Sequence, residues 1–275
     1  MKIMVIDRDS LSTQLIRSRL EPAGHHVIEE SVKNNAIEHL QKEDFDAVFF
    51  DPMPLNNARP IVLGIRRAVR NYPYVILLSS SMEREDALKS GANDFMLKPL
   101  NGAKLEANVL NAKRLTGLIQ HIGDESEDFP SAGGVISKSA FNQLFLSCLD
   151  RADRYGEQAY MVFIGIKNYQ EILELDGTYA TEFASAKLSQ YLVRLRRQSD
   201  IIAQTRKAEF CLLLQRPQYE SEPIEAANRF ADALAPFEDL FKAENSSVEI
   251  YVRLIDLPVG ALHVEHILTE TGKVT

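Results

Sequence analysis

Five side chains at the ends of apolar runs in the first half of the sequence could do phosphoryl chemistry together. Asp7 follows VI, Asp51 follows VFF, Ser79 follows ILL and Lys98 follows FML, with Asp9 two residues after Asp7. Carboxylate oxygens suit Mg²⁺, which takes few protein ligands and keeps several waters. A carboxylate beside such a metal could accept a phosphoryl group while the metal and a lysine neutralise its oxygens. A serine hydroxyl could then bond the acquired phosphate. The ordinary alternative is a fixed ion-pair network of Asp7, Asp51 and Lys98 with no turnover. Arg8 favours it, since a guanidinium could sit where a metal would.

The elements that must position these residues follow from periodicity. Apolar runs at 2–6, 26–29, 46–50, 74–78 and 94–97 alternate with helical patterns near 10–22, 32–41, 58–71, 82–90 and 101–121. Strand–helix alternation implies right-handed crossovers and a doubly wound five-stranded parallel sheet, with its crevice at the carboxyl ends of the strands. Residues 122–133, IGDESEDFPSAG, lose that periodicity and read as a linker. Beyond it, helices are expected at 137–155, 168–175, 179–196 and 222–236. Strands are expected at 159–166, 201–204, 210–215 and 247–255, an α+β pattern with a mostly antiparallel sheet. The expected division is 1–121, a linker at 122–133, and 134–275.

Composition narrows the function classes. A net charge of −8 and no long basic run argue against DNA as partner. Cys148 and Cys211 sit among apolar residues without metal-ligand spacing and read as reduced core cysteines. The six histidines suggest no cluster, His263 and His266 being a surface pair. No run is long enough for a membrane span, and MKIMVIDRDS opens as a strand, so a cytoplasmic protein is expected.

At these residues the first half resembles the receiver domains of two-component response regulators, over about 1–121, with GANDFMLKP (91–99) the most specific segment. The resemblance implies a flavodoxin-like fold, Asp51 as phosphoacceptor, and Asp7 and Asp51 as metal ligands. It makes Ser79 and Phe95 the switch residues, Lys98 the phosphate-binding lysine and Lys98–Pro99 a cis peptide. It also implies a sensor histidine kinase or phosphotransfer protein as partner. A homodimer is expected through the face spanning 82–121, whose last helix carries Leu105, Val109, Leu110, Leu115 and Leu118. Two features depart from the family. Arg8 replaces the second consecutive acid, and DPMP places Pro54 one position early in a loop that normally offers a carbonyl to the metal.

The second half resembles GGDEF domains over about 131–260, through GGVISKSAF (133–141), MVFIGIKNY (161–169) and RKAEF (206–210). Diguanylate cyclases of this family join two GTP molecules on two metal ions. Here Gly165 stands for the central-strand aspartate, Leu173 for the guanine-contacting asparagine, Arg206 and Lys207 for the two glycines, and Ala208 for the third-position acid. Glu209 and Phe210 remain. The resemblance therefore implies a degenerate domain that is not an enzyme, and the chain's end at Thr275 leaves out the family's usual last helix and strand. By this resemblance Arg197-Gln198-Ser199-Asp200, with Arg229 on the following helix, matches the family's inhibitory RxxD site for cyclic di-GMP, where arginine forks bond guanine edges and phosphates and a carboxylate accepts from guanine N–H groups. The ordinary alternative is a structural aspartate, since RLRRQSD holds three arginines and an RxxD match arises easily. Two readings follow: a signalling response regulator whose inactive output domain acts by protein contact, and a cyclic di-GMP receptor. The missing carboxylates argue against a third, an active cyclase.

Overall fold

The computed structural model describes residues 1–55, 57–69, 72–155, 157–236, 247–257 and the backbone of 266–269. The expected helix end at 70–71, His263 and the chain end at 270–275 lie outside the described residues, as do the side chains of Asp153 and Arg154. Two compact units form, built mainly from residues 1–120 and from residues 121–257.

In the first unit β1 (Lys2–Ile6), β2 (His26–Glu29), β3 (Ala47–Phe50), β4 (Tyr74–Ser79) and β5 (Asp94–Leu97) alternate with α1 (Ser10–Leu20), α2 (Lys33–Lys42), α3 (Arg59–Ala68), α4 (Arg84–Lys89) and α5 (Gly102–Gly123). The sheet is parallel, in the order β2-β1-β3-β4-β5. Burial on both faces explains why the central strands read as unbroken apolar runs. Met4, Ile6, Val48, Phe50, Val75 and Leu77 form one core with Ala36, Leu40, Val62 and Ile65. The alternate residues Ile3, Val5, Phe49, Ile76 and Leu78 are buried as well. The order puts the carboxyl ends of β1 and β3 side by side, with β4 and β5 next to them. Four of the five apolar residues expected at a dimer face, Leu105, Val109, Leu115 and Leu118, are buried, which leaves Leu110 exposed. Helix α5 runs to Gly123, into the segment read as linker, because LTGLIQHI keeps apolar spacing past Leu118.

The second unit is α+β. Its elements are α6 (Lys138–Tyr155), β6 (Ala159–Ile166), α7 (Tyr169–Leu195), β7 (Ile201–Arg206), β8 (Glu209–Gln215), α8 (Glu222–Leu234), β9 (Ile250–Asp256) and β10 (His266–Thr269). All strand pairs are antiparallel, in the order β10-β9-β6-β8-β7. Val162, Ile164, Phe210, Leu212, Val252 and Leu254 make one core with residues of α7 and α8, among them Leu188 and Phe230. The two helices expected at 168–175 and 179–196 abut as α7, separated by the non-helical Gly177 at φ 83°, ψ 179°. Strand β10 was not anticipated: its four residues are too few to show a period of two.

The GG pair that opens this unit does two different jobs. Gly133 has φ +57° with open space where a Cβ would go. Gly134 has φ +96°, and a Cβ there would stand 2.9 Å from Cγ1 of Val193. A left-handed residue costs about 1–2 kcal/mol for a non-glycine, and β-branched Val193 cannot rotate away cheaply. Gly133→Ala is therefore expected to destabilise by about 1 kcal/mol and Gly134→Ala by about 2–4 kcal/mol, overpacking being added to strain. Denaturant unfolding of the two variants checks the order.

Candidate functional site

Asp51 sits one residue beyond β3, where its amide donates to the Ile6 carbonyl at 2.9 Å. Lys98, one residue beyond β5, is anchored by its amide to the Ser79 carbonyl at 2.8 Å. Its ammonium contacts Oδ2 of Asp51, lies 2.7 Å from Oδ2 of Asp7 and is 3.9 Å from Oδ2 of Asp9. The three main partners are buried, at 12%, 2% and 11% side-chain exposure for Lys98, Asp7 and Asp51. Burial disfavours the charged ammonium, but bonds from Lys98 to Asp51 and Asp7 outweigh it and hold its pKa above the ordinary value.

The remaining oxygens are also engaged. Oδ1 of Asp51 accepts from the Met53 amide at 2.8 Å, and Oδ1 of Asp7 accepts from the Asp9 amide at 2.9 Å. Asp9 caps α1, accepting from the Leu11 amide at 3.1 Å and the Ser12 hydroxyl at 2.7 Å. The Ser12 bond leads in pulling its pKa down. Ser79 Oγ accepts from the amides of Ser81 and Met82. Phe95 is buried. Lys98–Pro99 is cis.

Arg8 is placed differently from the sequence expectation. It is exposed and pairs with neither Asp7 nor Asp51. The cation between the carboxylates is Lys98, and a second lysine, Lys33, reaches the loop after Asp51. Lys33 Nζ donates to the carbonyls of Pro52 at 2.5 Å and Met53 at 2.7 Å. Burial lowers its pKa, opposed by the charge of Asp51. These contacts do not fit a divalent metal ion. The oxygens of Asp7, Asp51 and Met53 that such an ion would need already face backbone N–H donors or a lysine ammonium.

In the second unit Gly165 lies near the end of β6, between Glu209 on β8 and Tyr251 on β9. A Cβ on Gly165 would stand 2.7 Å from the Tyr251 hydroxyl and 2.8 Å from the Ala208 carbonyl. The Tyr251 hydroxyl donates to Oε2 of Glu209 at 2.6 Å, the Thr205 hydroxyl to Oε1 at 2.7 Å, and His121 Nε2 is 2.6 Å from the same Oε1. The His121 ring also packs against Phe163, with centroids 5.8 Å apart. Burial alone would raise the pKa of Glu209. The bonds from His121, Tyr251 and Thr205 overcome it and hold the carboxyl at about 2. Tyr251 is pushed upward by burial and by the charge it faces.

Ala208 is buried and Leu173 half-buried, while Arg206 and Lys207 are exposed at the hairpin tip. The tip is pinned: the Lys207 carbonyl accepts from Ser185 at 2.6 Å and Gln204 at 3.0 Å, and the Ala208 carbonyl from the Ile166 amide at 3.0 Å. A groove of ≈ 520 Å³ beside it is lined by Gly133, Tyr169, Glu182, Ser185, Gln204 and Lys207. Neither Gly165 nor Ala208 supplies a side-chain oxygen, so two-metal chemistry does not fit here either.

Arg197, Asp200 and Arg229 do come together. Oδ2 of Asp200 accepts from the Arg197 amide at 2.8 Å and lies 3.6 Å from Nη2 of Arg229. The Arg197 guanidinium pairs with Glu222 at 2.7 Å. Lys33, His121, Thr205 and Tyr251 were missed in the sequence. Their partners lie 20, 88, 4 and 42 residues away in the chain. For Lys33, His121 and Tyr251 that distance is beyond any spacing signal. Thr205 is near its partner, but threonine in a strand is unremarkable.

Comparison with known proteins assigns both halves. Residues 3–110 match the response regulator receiver domain, and residues 131–269, half of the chain, match the diguanylate cyclase GGDEF domain. The chain is 26% identical over 151 residues to an uncharacterized transcriptional regulatory protein, YrkP, of Bacillus subtilis, covering 52% of this chain and 63% of that protein. It is 30% identical over 125 residues to the sensor protein GacS of Pseudomonas syringae, covering 42% and 14%. The chain thus spans under two thirds of these curated relatives. A two-component response regulator from Clostridium difficile superposes with TM-score 0.39 at 24% identity, covering 42% of this chain and 98% of that one. With its sheet order, its hairpin at 206–210 and the match over 131–269, the chain belongs to the GGDEF domain family and carries a response regulator receiver domain ahead of that domain.

Proposed function

We propose that this chain is a signalling response regulator whose GGDEF domain makes no cyclic di-GMP and passes on the state of the receiver by protein contact. The observation that carries the reading is the Glu209 network. The last acid of the signature is half-buried and bonded by His121, Thr205 and Tyr251, and the Tyr251 ring fills the space beside Gly165 where an aspartate would have to stand. A sensor histidine kinase or a phosphotransfer protein is the partner class for the receiver, and Asp51 is the residue such a partner would address. Among the described residues no helix is long and apolar enough to cross a membrane.

A second reading, cyclic di-GMP binding, has one observation behind it. Arg197, Asp200 and Arg229 converge, and Nε and Nη2 of Arg229 are buried without a hydrogen-bond partner. Against it, Asp200 is buried and closes its own turn, and Arg197 is tied to Glu222. Calorimetric titration with cyclic di-GMP is expected to show no heat. Saturable binding lost in Arg229→Ala would replace protein contact with ligand sensing as the function of this domain.

Incubation with GTP and Mg²⁺ or Mn²⁺ is expected to yield no cyclic di-GMP on chromatography. Gly165→Asp should not restore it, and should destabilise the domain, because the new side chain meets Tyr251 and the Ala208 backbone. Product from the unaltered protein would sink the proposal.

The Glu209 network also sets an acid limb. The folded pKa, about 2, lies below the ordinary 4.5. The stabilisation is therefore fully present above about pH 4.5 and is lost as pH falls toward 2. Glu209→Gln is expected to lower stability at pH 7 by on the order of 3 kcal/mol and to flatten the stability curve between pH 4.5 and 2. Denaturant midpoints measured across that window supply the comparison.

A further inference from the structure

Lys33 opens α2, a position where the helix dipole disfavours a cation, and Val32 before it offers no side-chain cap. The ammonium is held instead by the loop after Asp51. It donates to the carbonyls of Pro52 and Met53, and it lies 5.2 Å from the centre of the Phe50 ring. Those carbonyls belong to the segment from which a metal beside Asp51 would draw a backbone ligand. The opposite side of the crevice is closed by Lys98 on Asp7 and Asp51.

We propose that Lys33 is a tethered cation that takes the place of the divalent metal at the Asp51 crevice, so that loop 51–54 keeps one conformation whether or not Mg²⁺ is present. Three observations support it. Lys33 occupies two carbonyl oxygens, so an ion binding there must displace it. Lys98 and Lys33 already place two positive charges around Asp51, and each repels a third. Arg8 stands where a further carboxylate would be needed, and its side chain adds no ligand. Mg²⁺ demands near-octahedral oxygen geometry at about 2.0–2.1 Å and gives up water reluctantly. It is therefore a poor competitor for oxygens that already hold N–H donors. The inference concerns the receiver alone and stands apart from the proposal for the GGDEF domain.

The test uses Mn²⁺ as the probe, read as paramagnetic broadening of the backbone amides of residues 51, 53 and 55 in the full chain. The unaltered protein is expected to show no saturable broadening at millimolar Mn²⁺. Arg8→Asp alone should gain little. Lys33→Met with Arg8→Asp should bind at least tenfold tighter than Arg8→Asp alone, and Lys33→Arg with Arg8→Asp should not. Equal affinity of Arg8→Asp with and without Lys33→Met would make Lys33 a bystander and overturn the proposal. Saturable sub-millimolar binding at these amides in the unaltered protein would overturn it without any variant.

Discussion

A carboxylate taken out of water must find hydrogen-bond donors before the sheet around it can close. The chain meets that demand twice, once in each unit, and much of what its sites can do follows from how. In the receiver, Asp7 and Asp51 are compensated by the ammonium of Lys98 and by backbone amides. In the GGDEF domain, Glu209 is compensated by an imidazole, a phenol and a hydroxyl. Removing one partner from either set would leave charge buried without compensation, a larger loss than the net worth of the contact itself.

The two arrangements differ in what they leave open. Around Asp51 the partners are the Lys98 ammonium and the Met53 amide, and Ser79 lines a neighbouring groove with Pro52, Asn57 and Ser81. Around Glu209 the partners are two rings and a fully buried threonine, carried by the end of α5, by β9 and by β7.

Residues around Glu209 form a consistent set. With glycine at 165 the Tyr251 ring lies against the strand, and its hydroxyl meets Glu209. With alanine at 208 no second carboxylate competes for the same donors. The pieces fit together, as expected when a sequestered polar group is tolerated only in a fully satisfied network.

The sequence by itself determined the element order, both sheet types, the grouping of Asp7, Asp51 and Lys98, and the absence of side-chain oxygens at positions 165 and 208. Those are matters of local periodicity and of motif residues at strand ends, and both are written along the chain. Only the tertiary structure decided which cations and donors serve the buried carboxylates. Arg8, adjacent in sequence to Asp7, turns to solvent. Lys33, separated from Met53 by α2 and β3, takes the loop carbonyls. His121 and Tyr251 reach Glu209 from a helix end and from a strand brought alongside by antiparallel pairing. Partner choice in a buried site depends on which side chains the packed elements aim at one point, and residue types at fixed spacing carry no record of that aim.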